Sequence, residues 1–184
     1  MKKKLPKKKA VELFDKNILE TLDIGTFNCL SIIHKYLFED IYEFAGIIRD
    51  INISKGNFRF VPVMYLSEVL MKIDAMLQNN IDQIIEKYIE MNIAHPFREG
   101  NGRSTRIWLD LILKEQLQKV IDWSQIDKKD YLLAMKRSSV KDVEIKELIK
   151  KSLVDDKKDR TFYIKGIDRS YYYEGYNTYS AEDI

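Results

Sequence analysis

The chain holds a single cysteine, Cys29, so an internal disulfide is impossible and a reducing compartment fits. Three prolines and seven glycines are few breakers for 184 residues, which points to long helices rather than a turn-rich sheet protein. Long hydrophobic runs are missing as well. The best, Ile107–Leu113, is cut by Asp110 and falls well short of the ~18 residues that cross a membrane. The basic N-terminus lacks the apolar stretch of a secretory leader, because Glu12 and Asp15 interrupt Val11–Phe14. These absences predict a cytoplasmic protein without a membrane segment. With only His34 and His95 as histidines, and no second nitrogen or sulfur ligand beside either, a zinc site is not expected.

A strong charge of one sign is also lacking. The net charge is +2, from 31 basic and 29 acidic side chains. Six of the basic ones are lysines within residues 1–10, so the remaining 25 face 29 acids, a balance of −4. The body is mildly acidic, and the basicity reads as a solvated arm over residues 1–10. That argues against a globally basic nucleic-acid binder, although six lysines could neutralise several phosphates with steep salt dependence.

What is present is an apolar content of 45%, ample for one core, and helical periodicity. Gly25–Asp40 repeats Phe27, Leu30, Ile33 or His34, and Leu37 at spacings of three and four. Ile41–Asp50 reads as a second short helical piece, with Gly46 its weak point. Gly56-Asn57 between Ile53, Lys55 and Phe58, Phe60 signals a small β-hairpin over 52–61, and Pro62 opens a helix over 63–77. Helices follow over 81–93, 102–117, 127–135 and 143–153. The helix over 102–117, apolar over Ile107–Leu113 apart from Asp110, should be central and buried. Residues 155–160 read as a charged, solvated linker. The expectation is an all-α bundle with a small hairpin: an arm over 1–10, a catalytic domain over 11–160 and a C-terminal segment over 161–184.

Between the helices over 81–93 and 102–117 lies HPFREGNGRSTR, His95 to Arg106. Gly100-Asn101-Gly102 leads directly into a helix. Glycines let backbone N–H groups approach a ligand, and a helix N-terminus carries about half a positive charge. Arg103 and Arg106 share one face of the first turn. Cations there cost roughly 0.3–1 kcal/mol, an arrangement that makes sense around a multiply charged anion such as phosphate, which guanidinium groups grip bidentately. His95 faces the same loop and could accept a proton near neutral pH. Glu99 could hold Mg²⁺ together with substrate phosphates.

This stretch resembles the core motif of the Fic family of nucleotidyltransferases, HPFx[D/E]GNGRxxR, at every specified position. Residues 33–49, IHKYLFEDIYEFAGIIR, resemble a second family stretch, with Phe44 where tryptophan is usual. The resemblance implies a compact helical fold and transfer of AMP from ATP to a Ser, Thr or Tyr hydroxyl of a target protein, releasing pyrophosphate. It implies His95 as general base, Phe97 as a loop anchor and Glu99 as the Mg²⁺ ligand. Gly100, Asn101 and Gly102 would form the anion hole, and Arg103 and Arg106 would bind the outer phosphates. The hairpin, with Lys55 and Gly56 at its turn, would be a flap that docks the target.

A second family feature, [S/T]xxxE[G/N], fits Ser170 through Glu174 and Gly175. It implies an inhibitory C-terminal helix whose Glu174 takes Arg106 from the nucleotide. Tyr171, Tyr172, Tyr173 and Tyr176, beside that motif, are candidates for self-modification. By analogy with small toxin-type relatives, the target would be an ATPase subunit of a type II topoisomerase. Two other readings stand: a relative that transfers another phosphate-containing group or removes AMP, and a nucleic-acid-interacting protein acting through the lysine arm. A homo-oligomer stays open.

Overall fold

The structure, a computed structural model, describes residues 5–16, 18, 22–156 and 159–175. Its helices are α1 (Leu5–Asp15), α2 (Phe27–Phe38), α3 (Val63–Asp74), α4 (Ile81–Ala94), α5 (Asn101–Leu117), α6 (Lys128–Arg137), α7 (Val143–Lys151) and α8 (Arg160–Tyr173). Two short antiparallel pairs interrupt them. Strands β1 (Ser54–Lys55) and β2 (Phe58–Arg59) make the expected hairpin, and β3 (Lys119–Ile121) pairs with β4 (Leu153–Asp155). No described helix is long and apolar enough to cross a membrane.

Helix α5 is the axis of the molecule. Trp108, Leu109, Ile112 and Leu113 are fully buried, and the helix packs against α2, α4 and α8. Local chemistry sets the boundaries around it. Thr26 caps α2 by accepting from the Cys29 N–H at 3.1 Å, and Asn80 caps α4 by accepting from the Gln83 N–H at 3.0 Å, as hydroxyl and amide side chains do at helix starts. Helix α4 ends at Ala94 because Pro96 keeps His95 out of the right-handed region. The Asp110 carboxylate, which breaks the apolar run of α5, accepts from the Ile121 N–H at 3.2 Å and the Trp123 indole N–H at 2.8 Å. It therefore ties β3 to the central helix.

Three sequence expectations change. Residues 41–50 are not helical: they form turns, with the Ala45 N–H on Tyr42 and the Ile47 N–H on Phe44. Polar groups of Gly46 that a helix would use internally go to α2 instead. The Gly46 carbonyl accepts from Ser31 Oγ at 2.7 Å and its N–H donates to His34 Nδ1 at 2.9 Å. Gly46 has φ 77°, and a Cβ there would stand 2.8 Å from that of Lys35, so both backbone conformation and space demand glycine.

The linker expected over 155–160 is also corrected, in part. Asp155 belongs to β4, and Asp156 has a mostly buried side chain 3.5 Å from Lys114 Nζ. Lys157 and Lys158 lie outside the described residues. At three residues each, β3 and β4 are too short for alternation to announce them.

The largest correction concerns the lysine arm. Residues 5–10 begin α1, whose Ala10 and Leu13 are buried. Lys7 is buried and pairs with Asp168 of α8 at 2.5 Å. Lys9 reaches Glu39 at 2.8 Å and Asp40 at 2.5 Å. Further along, Asp15 receives both arms of Arg160 at 2.8 and 3.0 Å, Phe14 stacks on Tyr163 at 4.8 Å, and the Tyr163 hydroxyl donates to the Ala10 carbonyl at 3.1 Å. These basic side chains answer acids of the chain itself rather than solvent. Residues 1–4 lie outside the described residues.

Ala10→Asp would bury a carboxylate between α1 and its neighbours. A fall in the thermal midpoint of roughly 5–10 °C is expected, from about 2–3 kcal/mol in a chain of this size. The control is Lys8→Asp, on the exposed face of α1, which should leave the midpoint within about 1–2 °C. Equal midpoints for the two variants would show that α1 does not pack in solution.

Candidate active site

The residues from His95 to Arg106 turn the chain from α4 into α5, and buried side chains fix that turn. The Asn101 side chain accepts from the Phe97 N–H at 2.9 Å and donates to the Phe97 carbonyl at 2.7 Å. Asn101, expected in an anion hole, thus spends its amide on closing the loop. Phe97 is fully buried and stacks on His34 at 3.8 Å. His34 Nε2 bonds the Glu99 carbonyl at 2.8 Å while Nδ1 accepts from Gly46. A carbonyl can only accept and an amide N–H can only donate, so the neutral tautomer with its proton on Nε2 satisfies both. Burial, the largest influence, moves the His34 pKa down to about 4, in keeping with a neutral ring.

Gly100, with φ 85°, is the N-cap of α5, and no side chain caps the helix there. A Cβ at Gly100 would stand 2.6 Å from the Phe38 ring. The first turn of α5 thus presents backbone N–H groups and the positive end of the helix dipole. Arg103 lies on this turn and Arg106 on the next, and both are buried. Arg103 Nη2 donates to Glu99 at 3.1 Å, and its guanidinium lies 4.6 Å from the Phe38 ring centroid. Arg106 donates from Nε to Ser170 Oγ at 2.7 Å, and from Nη2 to the Ser170 carbonyl at 3.0 Å and the Glu174 carboxylate at 2.8 Å.

Glu174 comes from the end of α8, where it forms the C-cap. Its Oε1 would lie only 2.3 Å from a Cβ placed on Gly102, so that glycine makes room for an anion over the helix N-terminus. Burial would raise the Glu174 pKa, but the Arg106 guanidinium beside it outweighs burial and holds the carboxyl below the usual carboxylate range.

His95 occupies the left-handed region at φ 51° and ψ 62°, a strained conformation for a residue with a Cβ. Its ring stacks on Phe60 at 3.7 Å between centroids, and Nδ1 lies 3.3 Å from the Asn92 carbonyl. That acceptor puts the ring proton on Nδ1 and leaves the Nε2 lone pair free. Burial moves the His95 pKa down to about 4, so the ring is neutral at ordinary pH and able to take a proton.

The structure therefore gathers His95, Glu99, Gly100, Gly102, Arg103, Arg106, Ser170 and Glu174 about one helix end. Glu99 is half-exposed, with a carboxylate open to solvent. Gly175, with φ 84°, ends α8. Lys55 and Gly56 lie exposed on the hairpin, which meets His95 through Phe60. Of the tyrosines considered for self-modification, Tyr171 and Tyr173 are buried, and the Tyr173 hydroxyl donates to the Trp123 and Ile126 carbonyls at 3.2 and 2.8 Å. Their modification with α8 docked is ruled out by that packing. Tyr172 is 37% exposed, and Tyr176 lies outside the described residues. Sequence reasoning missed His34, Phe60 and Arg49 as parts of the site. The stretch over 33–49, which holds both His34 and Arg49, was the available signal.

Residues 26–113 match the Fic/DOC family. The protein adenylyltransferase VbhT of Bartonella schoenbuchensis is 33% identical over 119 residues, covering 59% of this chain and 24% of that protein. The probable protein adenylyltransferase y4lH of Sinorhizobium fredii is 29% identical over 140 residues, covering 68% and 72%. The chain thus spans about a quarter of one relative and nearly three quarters of the other. Among solved structures, the N-terminal Fic domain of an effector from Bartonella sp. AR 15-3 superposes with a TM-score of 0.66 at 18% identity, covering 82% of this chain and 81% of that one. BepC of Bartonella tribocorum, solved with bound AMPPNP, gives 0.64 at 19% identity, covering 80% and 84%. At these identities the superpositions speak for the fold. On the family match, residues 26–113 of this chain form a Fic domain.

Proposed function

We propose that the chain is a protein adenylyltransferase held inactive by its own α8. The observation that carries this reading is the Glu174 carboxylate, seated on Arg106 over the N-terminus of α5 where an outer phosphate would otherwise lie. Relatives named as protein adenylyltransferases, and a neighbour solved with AMPPNP, support nucleotide chemistry.

In the transfer, a Ser, Thr or Tyr hydroxyl oxygen of the target attacks the α-phosphorus of ATP. The new bond is oxygen to α-phosphorus, the bond that breaks joins that phosphorus to the bridging oxygen of pyrophosphate, and the hydroxyl proton goes to His95 Nε2. Backbone N–H groups at Gly100 and Gly102, with Arg103 and Arg106, neutralise the phosphate charge. Arg106 can do so only after leaving Ser170 and Glu174. Glu99 offers the half-exposed hard oxygen that suits Mg²⁺ beside phosphates. It would hold the ion once Arg103 turns to the nucleotide, and the bound ion supplies charge for the departing pyrophosphate. The β1–β2 hairpin, with an exposed edge at Ser54–Lys55, pairs by backbone with an extended target segment. Pairing of Lys7 and Lys9 with acids of the chain weighs against the alternative of nucleic-acid binding through the arm.

Glu174→Gly should raise AMP transfer roughly 5–150-fold, the range of ordinary coupling energies. Adding His95→Ala to that protein should lower transfer by about 10²–10⁴-fold. The measurement uses Mg²⁺ and α-labelled ATP with a cell extract and, separately, purified ATPase subunits of type II topoisomerases. A labelled band that appears with Glu174→Gly and vanishes with His95→Ala supports the reading. Label equal in the wild type and Glu174→Gly would remove the inhibitory role of α8, and no label in either would remove the transferase.

Protonation disables a base, so the released enzyme should lose activity toward acid. With His95 down at about 4, kcat of the Glu174→Gly protein should hold level from about pH 8 to pH 6 and fall only below that. A rate already halved at pH 6.5, the ordinary histidine value, would show that the imidazole is not held neutral by burial.

A further inference from the structure

Arg49 is 2% exposed, and among the described residues no carboxylate pairs with it. Its guanidinium is solvated by carbonyls instead. Nε donates to His95 at 2.8 Å, Nη1 to Ile51 at 2.8 Å, and Nη2 to Val61 at 2.5 Å and Ala94 at 3.1 Å. The Arg49 backbone N–H adds a bond to the Pro96 carbonyl at 2.8 Å.

These acceptors belong to three pieces of the chain. Ala94 and His95 end α4, and their carbonyls carry the negative end of that helix's dipole. A cation is favoured there, which explains how a buried guanidinium stands without a carboxylate. Ile51 and Val61 are the two feet of the β1–β2 hairpin. One planar fork thus joins the backbone that carries the His95 ring to both feet of the hairpin that carries Phe60. Lysine could not reproduce this, since an ammonium on a flexible stem cannot span four carbonyls in one plane. The His95 backbone is strained at φ 51°, so something must hold it, and the Arg49–His95 bond is in place to do so. None of these bonds goes to the start of α5 from Gly100 to Arg106.

We propose that Arg49 is a positioning residue: it locks His95 in its left-handed conformation and fixes the hairpin at one spacing from the imidazole, without contributing to nucleotide binding. The proposal rests on His95 as the base and deepens that reading. It carries a separation that a purely structural role does not. Loosening Arg49 should move the imidazole and the hairpin together, and leave the phosphate-binding turn of α5 as it is.

The test is Arg49→Lys in the Glu174→Gly protein, with Arg49→Gln as a second variant. Affinity for Mg²⁺-ATP by calorimetry should change by less than about threefold. The transfer rate kcat should fall about 100-fold, the cost of a misplacement near 1 Å. The two histidine ring signals, assigned in proton NMR with His95→Ala, give a third readout. The His95 titration midpoint should rise from near 4 toward 6.5, while that of His34 stays in place. A kcat within about threefold of the parent, an unmoved His95 midpoint, or ATP affinity lost in step with kcat would overturn the proposal. Failure of both variants to fold would also overturn it, since Arg49 would then be holding the domain rather than the site. If the parent transfers no AMP, the adenylyltransferase reading fails, and the two NMR midpoints still decide whether Arg49 positions His95.

Discussion

Two guanidinium groups buried in the first two turns of α5 face the wrong way for a helix dipole, and the site is organised around that mismatch. The helix N-terminus is already positive, so Arg103 and Arg106 add to a charge that burial makes costly. Anions must answer it. Within the chain the answer comes from Glu174 on Arg106 and Glu99 on Arg103. A nucleotide's phosphates would answer it equally well, and that equivalence makes an inhibitory carboxylate physically reasonable. A single acid at the end of a separate helix can stand where an outer phosphate would, because both are oxyanions that accept from the same donors.

The opposite end of the neighbouring helix obeys the dipole. Helix α4 closes on Arg49, a cation at a negative end, and needs no carboxylate. The active-site loop thus runs between a helix end that is satisfied within the protein and one that calls for an anion. Rigidity on the satisfied side would suit a base that must stay placed. Exchangeable partners on the other side would suit a nucleotide that must come and go. Phe97, Asn101 and His34 keep the loop itself fixed, and the bonds they make are internal.

Helix α8 is positioned by more than Glu174. Lys7 and Asp15 of α1 reach Asp168 and Arg160, and Ser170 holds Arg106 through both its hydroxyl and its carbonyl. The N-terminal helix therefore belongs to the same assembly as the C-terminal one, with the Fic core between them. Composition concealed this. The lysine-rich start read as solvated because the partners of Lys7 and Lys9, which are Asp168, Glu39 and Asp40, lie far along the chain.

What the sequence determined by itself was the chemistry and order of the loop from His95 to Arg106, the helices on either side and the hairpin at Gly56-Asn57. Those features are contiguous, and their capping, turn and periodicity rules act over a few residues. Turn residues misled only where a neighbour intervened, as at Gly46, whose backbone bonds α2 instead of continuing a helix. Only the tertiary structure decided that Arg106 meets Glu174 across 68 residues, and that His34 serves the loop as a buried neutral hydrogen-bonding partner. It also decided that Arg49 gathers four carbonyls and that Lys7 and Lys9 of α1 are paired. Each of these turns on burial and on a partner brought from a distant segment. Local pattern records which groups need partners, and the packing of the helices on α5 settles which ones they find.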